Sequence, residues 1–491
     1  MSEHIKFIKR VGLVIITSFV TLLEGLILLP ILTKNFGIAD YGIWVEIMAT
    51  ISLAMPFIML GLPSAMLRFL PAEKEKKNTA MGIFTVFFSV LSVSIISALA
   101  LFLLSDSFAN ILLKDPSASF FIKIAAVLLV LEALNQTSLV TFRIFEQIKK
   151  YSTLIILQTF LEIGLASFLV LSGFGLFGAL IAFLIARIII ILFSLFFIIS
   201  HTGFARPHFS ILKPYLIFGL PLILSVFFEV ITAAGDRYVI GFFKGAESVG
   251  IYSVAYSIGT MAVVLLYPIV SILSPTIFKL FDEKEINKVK TYLSYSLKYF
   301  FLFSIPSVFG LSILARPLIN ALATPAFVSL TSVFIVLLVS ISMIFDGFRA
   351  IYGTVIMLFK QTKIIGISTA VAGLANLILN ILFMPYFGII VAAITTLISY
   401  AILGGTMYYY SRKYIKFEID WLFIIKSILA SIIMIFVIYL INPVGIINIL
   451  LSVVTGALIY FCLLFLLNGF NTKEIKSFLG TFGGNDFAEK Y

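Results

Sequence analysis

Several ionisable side chains stand inside long apolar runs: the acids Glu24, Glu46, Glu132, Glu162, Glu229 and Asp346, and the bases Arg187 and Arg349. A charge at mid-membrane depth costs about 2.5–3.5 kcal/mol on insertion scales unless a partner or a wet cavity receives it, so each needs a reason to be there. A carboxylate lining a cavity can bind a coupling H⁺ or Na⁺, for which Glu24, Glu132, Glu162, Glu229 and Asp346 are the candidates. A guanidinium offers planar two-donor geometry that suits phosphate, which points to Arg187 and Arg349. The competing reading is structural: the charges pair among themselves as interhelical glue, with Asp346 and Arg349 a local i, i+3 pair. Arg187 has no obvious local partner in sequence and is the first candidate for substrate contact; if it is structural, its expected partner is Glu162 on the preceding helix. Glu229 and Asp236 are expected on one helix face. Asp236 and Arg237 open the stretch DRYVIGFFKGAESVGIYSVAYSIG. They are expected near the outer membrane boundary, where a hydrated or helix-end structural role competes with contact to an emerging substrate.

The elements that must position these groups are transmembrane helices. The 491 residues are 61% hydrophobic and 12% charged, with 51 Phe and 20 Tyr, and the mean hydropathy is +1.17. Soluble domains do not have this composition. Interruptions by polar, Gly and Pro residues divide the chain into about 14 runs near the roughly 20 residues that span the hydrocarbon. The first run, Val11 to Thr33, follows Lys6, Lys9 and Arg10 but is too long for a signal-peptide core, so it reads as a retained helix. Of 34 Lys and Arg, the outward loops hold only Lys34, Lys114, Arg237, Lys244 and Arg316 once the N-terminus is set in the cytoplasm. Positive-inside bias thus places both termini in the cytoplasm and explains the net charge without nucleic acid. The lone Cys462 allows no intrachain disulfide, and His4, His201 and His208 fall in the tail or the inward linker, so no intramembrane His metal site is expected. Neither a cofactor nor a metal is called for, and no phosphate-cradling GxxxxGK[ST] is present. Gly164, Gly175, Gly178, Gly373 and Gly388 are read as sites of close helix packing or turns, and Pro221, Pro268 and Pro306 as kinks.

The chain also repeats itself. FGIADYGIW at Phe36 to Trp44 matches KGAESVGIY at Lys244 to Tyr252, the runs that follow close with PAEKEKK and FDEKEIN, and Gly175 stands opposite Gly388, all at an offset of about 210 residues. Glu132 and Asp346 share that offset, so both halves carry an acid at an equivalent depth. Six spans per half make the copies parallel, related by an axis along the membrane normal. The expected fold is an all-α polytopic membrane protein with two six-helix lobes, residues 1–206 and 207–412. Residues 413–491 add an accessory helix pair and a cytoplasmic tail.

PYLIFGLPLILS followed by DRYVIGFFKGAESVGIYSVAYSIG, and LLPILTKNFGIADYGIWVEIMATISLAMPFIMLGLPSAMLRFLP before it, resemble the polysaccharide exporters of the multidrug/oligosaccharidyl-lipid/polysaccharide superfamily. The resemblance implies a flippase in the cell membrane, not an enzyme. It would carry an isoprenoid-diphosphate-linked oligosaccharide from the cytoplasmic to the outer leaflet by alternating access, with Arg187 or Arg349 meeting the diphosphate. For Asp236 and Arg237 the substrate contact would be with the emerging glycan. Membrane lipids and other glycan-assembly proteins are the remaining expected partners. Lipid II flippases share the layout, but they typically carry several basic residues on the inner faces of their first and seventh helices, where this chain has Glu24 and Glu229. The alternative is an ion-coupled exporter of drugs or amphipathic cations, which the excess of membrane acids favours. An intramembrane glycosyltransferase or polymerase would need a large outward loop for its catalytic groups, and all outward loops here are short.

Overall fold

The computed structural model describes residues 3–469, Lys74 and Leu265 apart, and the described chain is helical throughout, without a strand. The C-terminal tail beyond residue 469, Lys74 and the side chain of Pro268 lie outside the described residues. In chain order, α1 spans Glu3–Asn35, α2 Ile38–Met59, α3 Leu62–Phe69, α4 Lys76–Leu103, α5 Ser105–Phe108, α6 Ala118–Ile144, α7 Ile148–Leu169 and α8 Gly175–Thr202. After the linker come α9 Leu212–Lys244, α10 Ala246–Thr260, α11 Leu266–Asp282, α12 Ile286–Leu322 and α13 Leu330–Leu358. The chain continues with α14 Thr362–Phe387, α15 Ile390–Ser411, α16 Trp421–Ile441 and α17 Ile446–Leu466.

Among the described residues, 11 segments are long and apolar enough to cross a membrane, or up to 12 if the bent α9 is one span. The chain is therefore a multi-pass membrane protein, its helices forced by the need to satisfy every backbone N–H and C=O inside hydrocarbon. One of these segments, Ile148–Thr202, is 55 residues long. A straight helix of that length would reach roughly 80 Å. It is instead a hairpin, because α7 and α8 pack along each other after Gly173 (φ 89°) and Gly175 (φ 53°, ψ −141°) turn the chain. Only glycine tolerates that second conformation. The apolar run that follows Gly37 divides at Leu60 and Gly61, both with positive φ, into α2 and α3. The apolar run around Met261 divides at a 3₁₀ turn, Met261–Val263. The α9 helix bends by 51° between Pro221 and Val226, since proline removes an N–H from the ladder and crowds the preceding turn. Pro306 does not interrupt α12, which continues from Ile286 to Leu322.

The chain divides into two compact units, the first comprising Met1–Tyr256, Leu322–Ser332 and Lys363–Ser399, the second the remainder. In the first, α4 packs on α6, α6 and α7 on α8, α1 on α7, and α2 and α3 on α9. Two of its crossings bring backbones into contact. A methyl group at Gly42 would strike the carbonyl oxygen of Ala246, and one at Gly250 would strike that of Ile38. Gly61 and Gly219 meet in the same manner, each against the other's backbone. Small residues permit such approaches, which is how apolar helices gain packing energy in lipid. Gly164 is no such site, because a methyl group there would meet nothing within 4 Å. In the second unit, α16 and α17 pair through Ser427 and the Tyr460 hydroxyl, 2.8 Å apart. Tyr460 also donates to the carbonyl of Leu302 in α12 at 3.0 Å.

Candidate functional site

In the first unit, α2, α3, α6, α8 and α9 line an open cavity of about 490 Å³. Its wall is largely apolar, with Met48, Met55 and Met59 from α2 and Ile223, Val226 and Val230 from α9, while Glu132, Gln136 and Arg187 supply polarity from α6 and α8. Unbranched methionines adapt their shape to irregular contents. A pocket with an apolar wall and a few convergent polar groups suits an amphipathic ligand.

The polar corner is built by mutual packing of α6, α7 and α8. Arg187 Nε donates to Glu132 Oε2 and Arg187 Nη1 pairs with Glu162 Oε1. Arg187 also stands 5.8 Å from the centre of the Phe183 ring. Glu132 Oε1 accepts from Gln136 Nε2 at 2.7 Å. Asn135 Nδ2 donates to Gln158 Oε1 at 2.9 Å on the adjoining faces of α6 and α7. Glu24 of α1 accepts from Thr159 of α7 at 3.4 Å and is close enough to feel the charges of both Arg187 and Glu132. Glu162 is 1% exposed and Arg187 9%. Arg187 is therefore not the unpaired cation expected from sequence; packing brings it acids from helices on two sides. Glu162 holds it, as the structural alternative anticipated, and Glu132 holds it as well.

A second buried polar cluster in this unit surrounds Asp236. The Tyr252 hydroxyl donates to Asp236 Oδ2, Thr396 approaches the same oxygen at 3.5 Å, and Arg237 lies 3.6 Å from Oδ1. Arg237 is also held by the carbonyl of Ala233 at 2.9 Å and stands 4.8 Å from the centre of the Tyr256 ring. Asp236 is 1% exposed, so its carboxylate is held by protein groups and not by water, as the structural alternative for this pair has it. Tyr238 donates to Thr50 at 2.9 Å. Neither carboxylate oxygen of the buried Glu46 has a hydrogen-bond partner among the described residues. Asn376 and Asn380 of α14 and Thr395 of α15 form a hydrogen-bonded chain.

The other candidates lie elsewhere. Glu229 is exposed while Asp236 is buried, so their seven-residue spacing does not bring them to one site. In the second unit, Arg349 donates to Asp346 at 2.6 Å, the local pair expected from their spacing. Asp236, Arg237 and Arg349 do not line the cavity. Among the described residues no three His, Cys, Asp or Glu converge as metal ligands. Sequence reasoning did not single out Gln136, Thr159, Tyr252 or Thr396, because single hydroxyls and amides are common in membrane helices. The i, i+4 pair Asn376 and Asn380 in an apolar helix was a legible signal.

Comparison with known proteins adds a family and a fold. The model of a family described as "Polysaccharide biosynthesis protein" matches residues 31–332. A protein named "Probable flippase AglR" from Haloferax volcanii is 36% identical over 171 residues, 33% of this chain and 34% of the relative. A second from the same organism, "Probable low-salt glycan biosynthesis flippase Agl15", is 22% identical over 229 residues, 46% of this chain and 48% of the relative. The matched stretches thus span about a third and about half of those relatives' own lengths. Among solved structures, the lipid II flippase MurJ in an inward closed conformation superposes with a TM-score of 0.78 at 19% identity, covering 92% of this chain and 98% of that one. An inward-facing multidrug resistance transporter of the MATE family and MOP superfamily gives 0.64 at 19% identity, over 79% and 94% of the respective chains. At these identities the structural likeness shows a shared membrane fold.

Proposed function

The chain belongs to the polysaccharide biosynthesis protein family, and from that premise we propose that it is a flippase carrying an isoprenoid-diphosphate-linked oligosaccharide from the cytoplasmic to the outer leaflet. The observation that carries this reading is the cavity itself: an apolar, methionine-rich wall facing a corner that holds the guanidinium of Arg187. An isoprenoid diphosphate has the same two-part chemistry. The names of the two Haloferax relatives support glycan transport.

The working architecture is two six-helix lobes, residues 1–206 and 207–412, followed by an accessory pair and tail, with both termini cytoplasmic in the cell membrane. Fourteen crossings follow if the α7–α8 hairpin counts as two, α9 as one, and α10 with α11 as one. The α2–α10 crossing supports a pseudo-twofold, because Gly42 and Gly250 are repeat-equivalent and each abuts the carbonyl opposite the other, Ala246 and Ile38. Alternating access between the lobes is the mechanism, with H⁺ or Na⁺ as the coupling ion and Glu24, Glu132 and Glu162 as its sites. Other glycan-assembly proteins supply and consume the substrate.

The three carboxylates around one guanidinium favour a second reading, export of an amphipathic cation. One experiment separates the two. The full chain is reconstituted in liposomes containing a fluorescent isoprenyl-diphosphate oligosaccharide, and exposure of the headgroup to an impermeant quencher is followed beside uptake of ethidium. Accelerated headgroup exposure without ethidium transport is expected. Ethidium accumulation with static headgroups would select the cation exporter.

A further inference from the structure

Resting on the reading of Arg187 as the headgroup contact, we infer that Glu132 is a proton-operated latch: it competes with the diphosphate for Arg187 and yields only when protonated, so that each headgroup captured takes up one proton. A guanidinium offers two bidentate edges, Nε with one terminal nitrogen, or both terminal nitrogens. In the structure Glu132 occupies Nε and Glu162 occupies Nη1, so both edges have a donor committed. The two acids are not equivalent. Glu162 is 1% exposed and absent from the cavity wall, whereas Glu132 lines the cavity beside Arg187. Glu162 is thus the fixed anchor that aims the guanidinium, and Glu132 is the carboxylate an entering anion meets first.

Charge makes the exchange obligatory. With both carboxylates ionised the Arg187 corner carries a net negative charge, and a diphosphate entering it is repelled. Protonating Glu132 removes the repulsion and frees the Nε edge together. One proton is taken from hydronium of the bulk solution, breaking an O–H bond there and forming one at Glu132 Oε2, and Gln136 remains beside the neutral acid as a hydrogen-bond partner. The groups facing Glu132 are few. Arg187 and Gln136 touch it, while Glu162 and Glu24 act through charge. The cavity residues of α2, α3 and α9 carry no ionisable side chain. The described part of α4 beyond Asn78 has none either, and Lys123 near the start of α6 is engaged with Asp106 at 3.7 Å. Reciprocal linkage then requires headgroup binding and protonation of Glu132 to favour each other.

The test measures binding of farnesyl diphosphate to the purified full chain by calorimetry between pH 6 and 8, in buffers of different ionisation enthalpy. Wild type is expected to bind more weakly as pH rises, with about one proton taken up per ligand beyond that of Glu132→Gln. Glu132→Gln should bind more tightly than wild type at pH 8 and lose most of the pH dependence. The probe's own phosphate titration is common to both proteins and cancels in the difference. A variant with the same pH dependence and proton count as wild type overturns the latch. Should Glu132→Gln fail to fold, the proton count on wild type decides, zero uptake at pH 7.5 overturning the proposal. If farnesyl diphosphate binds no form of the protein while liposomes still show headgroup exposure, the latch falls and the flippase reading stands.

Discussion

At the scale of single residues, the cavity corner is an ion cluster in a low-dielectric wall, where removing one partner is worse than never having built the set. Arg187→Ala leaves Glu132 and Glu162 facing each other without a cation and should destabilise the protein by about 3–5 kcal/mol. Neutralising Glu162 together with Arg187 should recover much of that loss. Thermal unfolding in detergent and protein abundance in the membrane check both variants, and equal melting of single and double variants would show that the acids do not depend on the arginine. Arg187→Lys should keep most of the stability yet lose transport per molecule, because an ammonium cannot reproduce a planar two-donor grip. The Asp236 cluster gives a graded comparison. Tyr252→Phe withdraws the hydroxyl donor from a buried carboxylate and should cost about 1–3 kcal/mol. Tyr238→Phe should cost less, about 0.5–1.5 kcal/mol, since Thr50 keeps its bond to the carbonyl of Glu46 at 2.8 Å.

At the scale of elements, glycines decide where helices touch and where the chain turns. Gly250→Ala forces a methyl group into the carbonyl of Ile38 and has no flexible side chain to displace. It should lower the melting temperature clearly and disturb the crossing of α2 and α10. Gly164→Ala, in open space within α7, should be neutral or stabilise by up to about 1 kcal/mol through helix propensity. A stable Gly250→Ala, or a destabilised Gly164→Ala, would contradict these contacts. The element boundaries show what sequence could and could not reveal. The α9 bend was legible because Pro221 states its own effect on the backbone. The division of the run around Met261 was not, since apolar residues continue across the 3₁₀ turn and hydropathy records composition rather than backbone conformation.

At the scale of the whole molecule, the scarcity of Lys and Arg on one side of the membrane is the strongest statement about orientation, and it can be tested directly. With Cys462 replaced by serine, cysteines at Lys149, Lys284 and Lys413 should resist an impermeant maleimide applied to intact cells and label after permeabilisation. Labelling at any two from outside would invert the topology. The sequence by itself determined the solvent and the helical class. Those follow from transfer free energies and periodicity, which are properties of local composition. Only the tertiary structure decided which distant charges meet in one cluster. Glu162, on the preceding helix, was the partner the sequence offered Arg187, but Glu132 is 55 residues away, and nothing in local spacing selects it over Glu24 or Glu229. The choice is made by how α6, α7 and α8 pack, because in lipid every helix is apolar on all sides and the partner face is set by shape and small residues instead of by a hydrophobic stripe. Asp236 shows the converse. Its place at the end of an apolar run suggested water, and burial against Tyr252 and Thr396 replaced that water with two hydroxyls contributed by other helices.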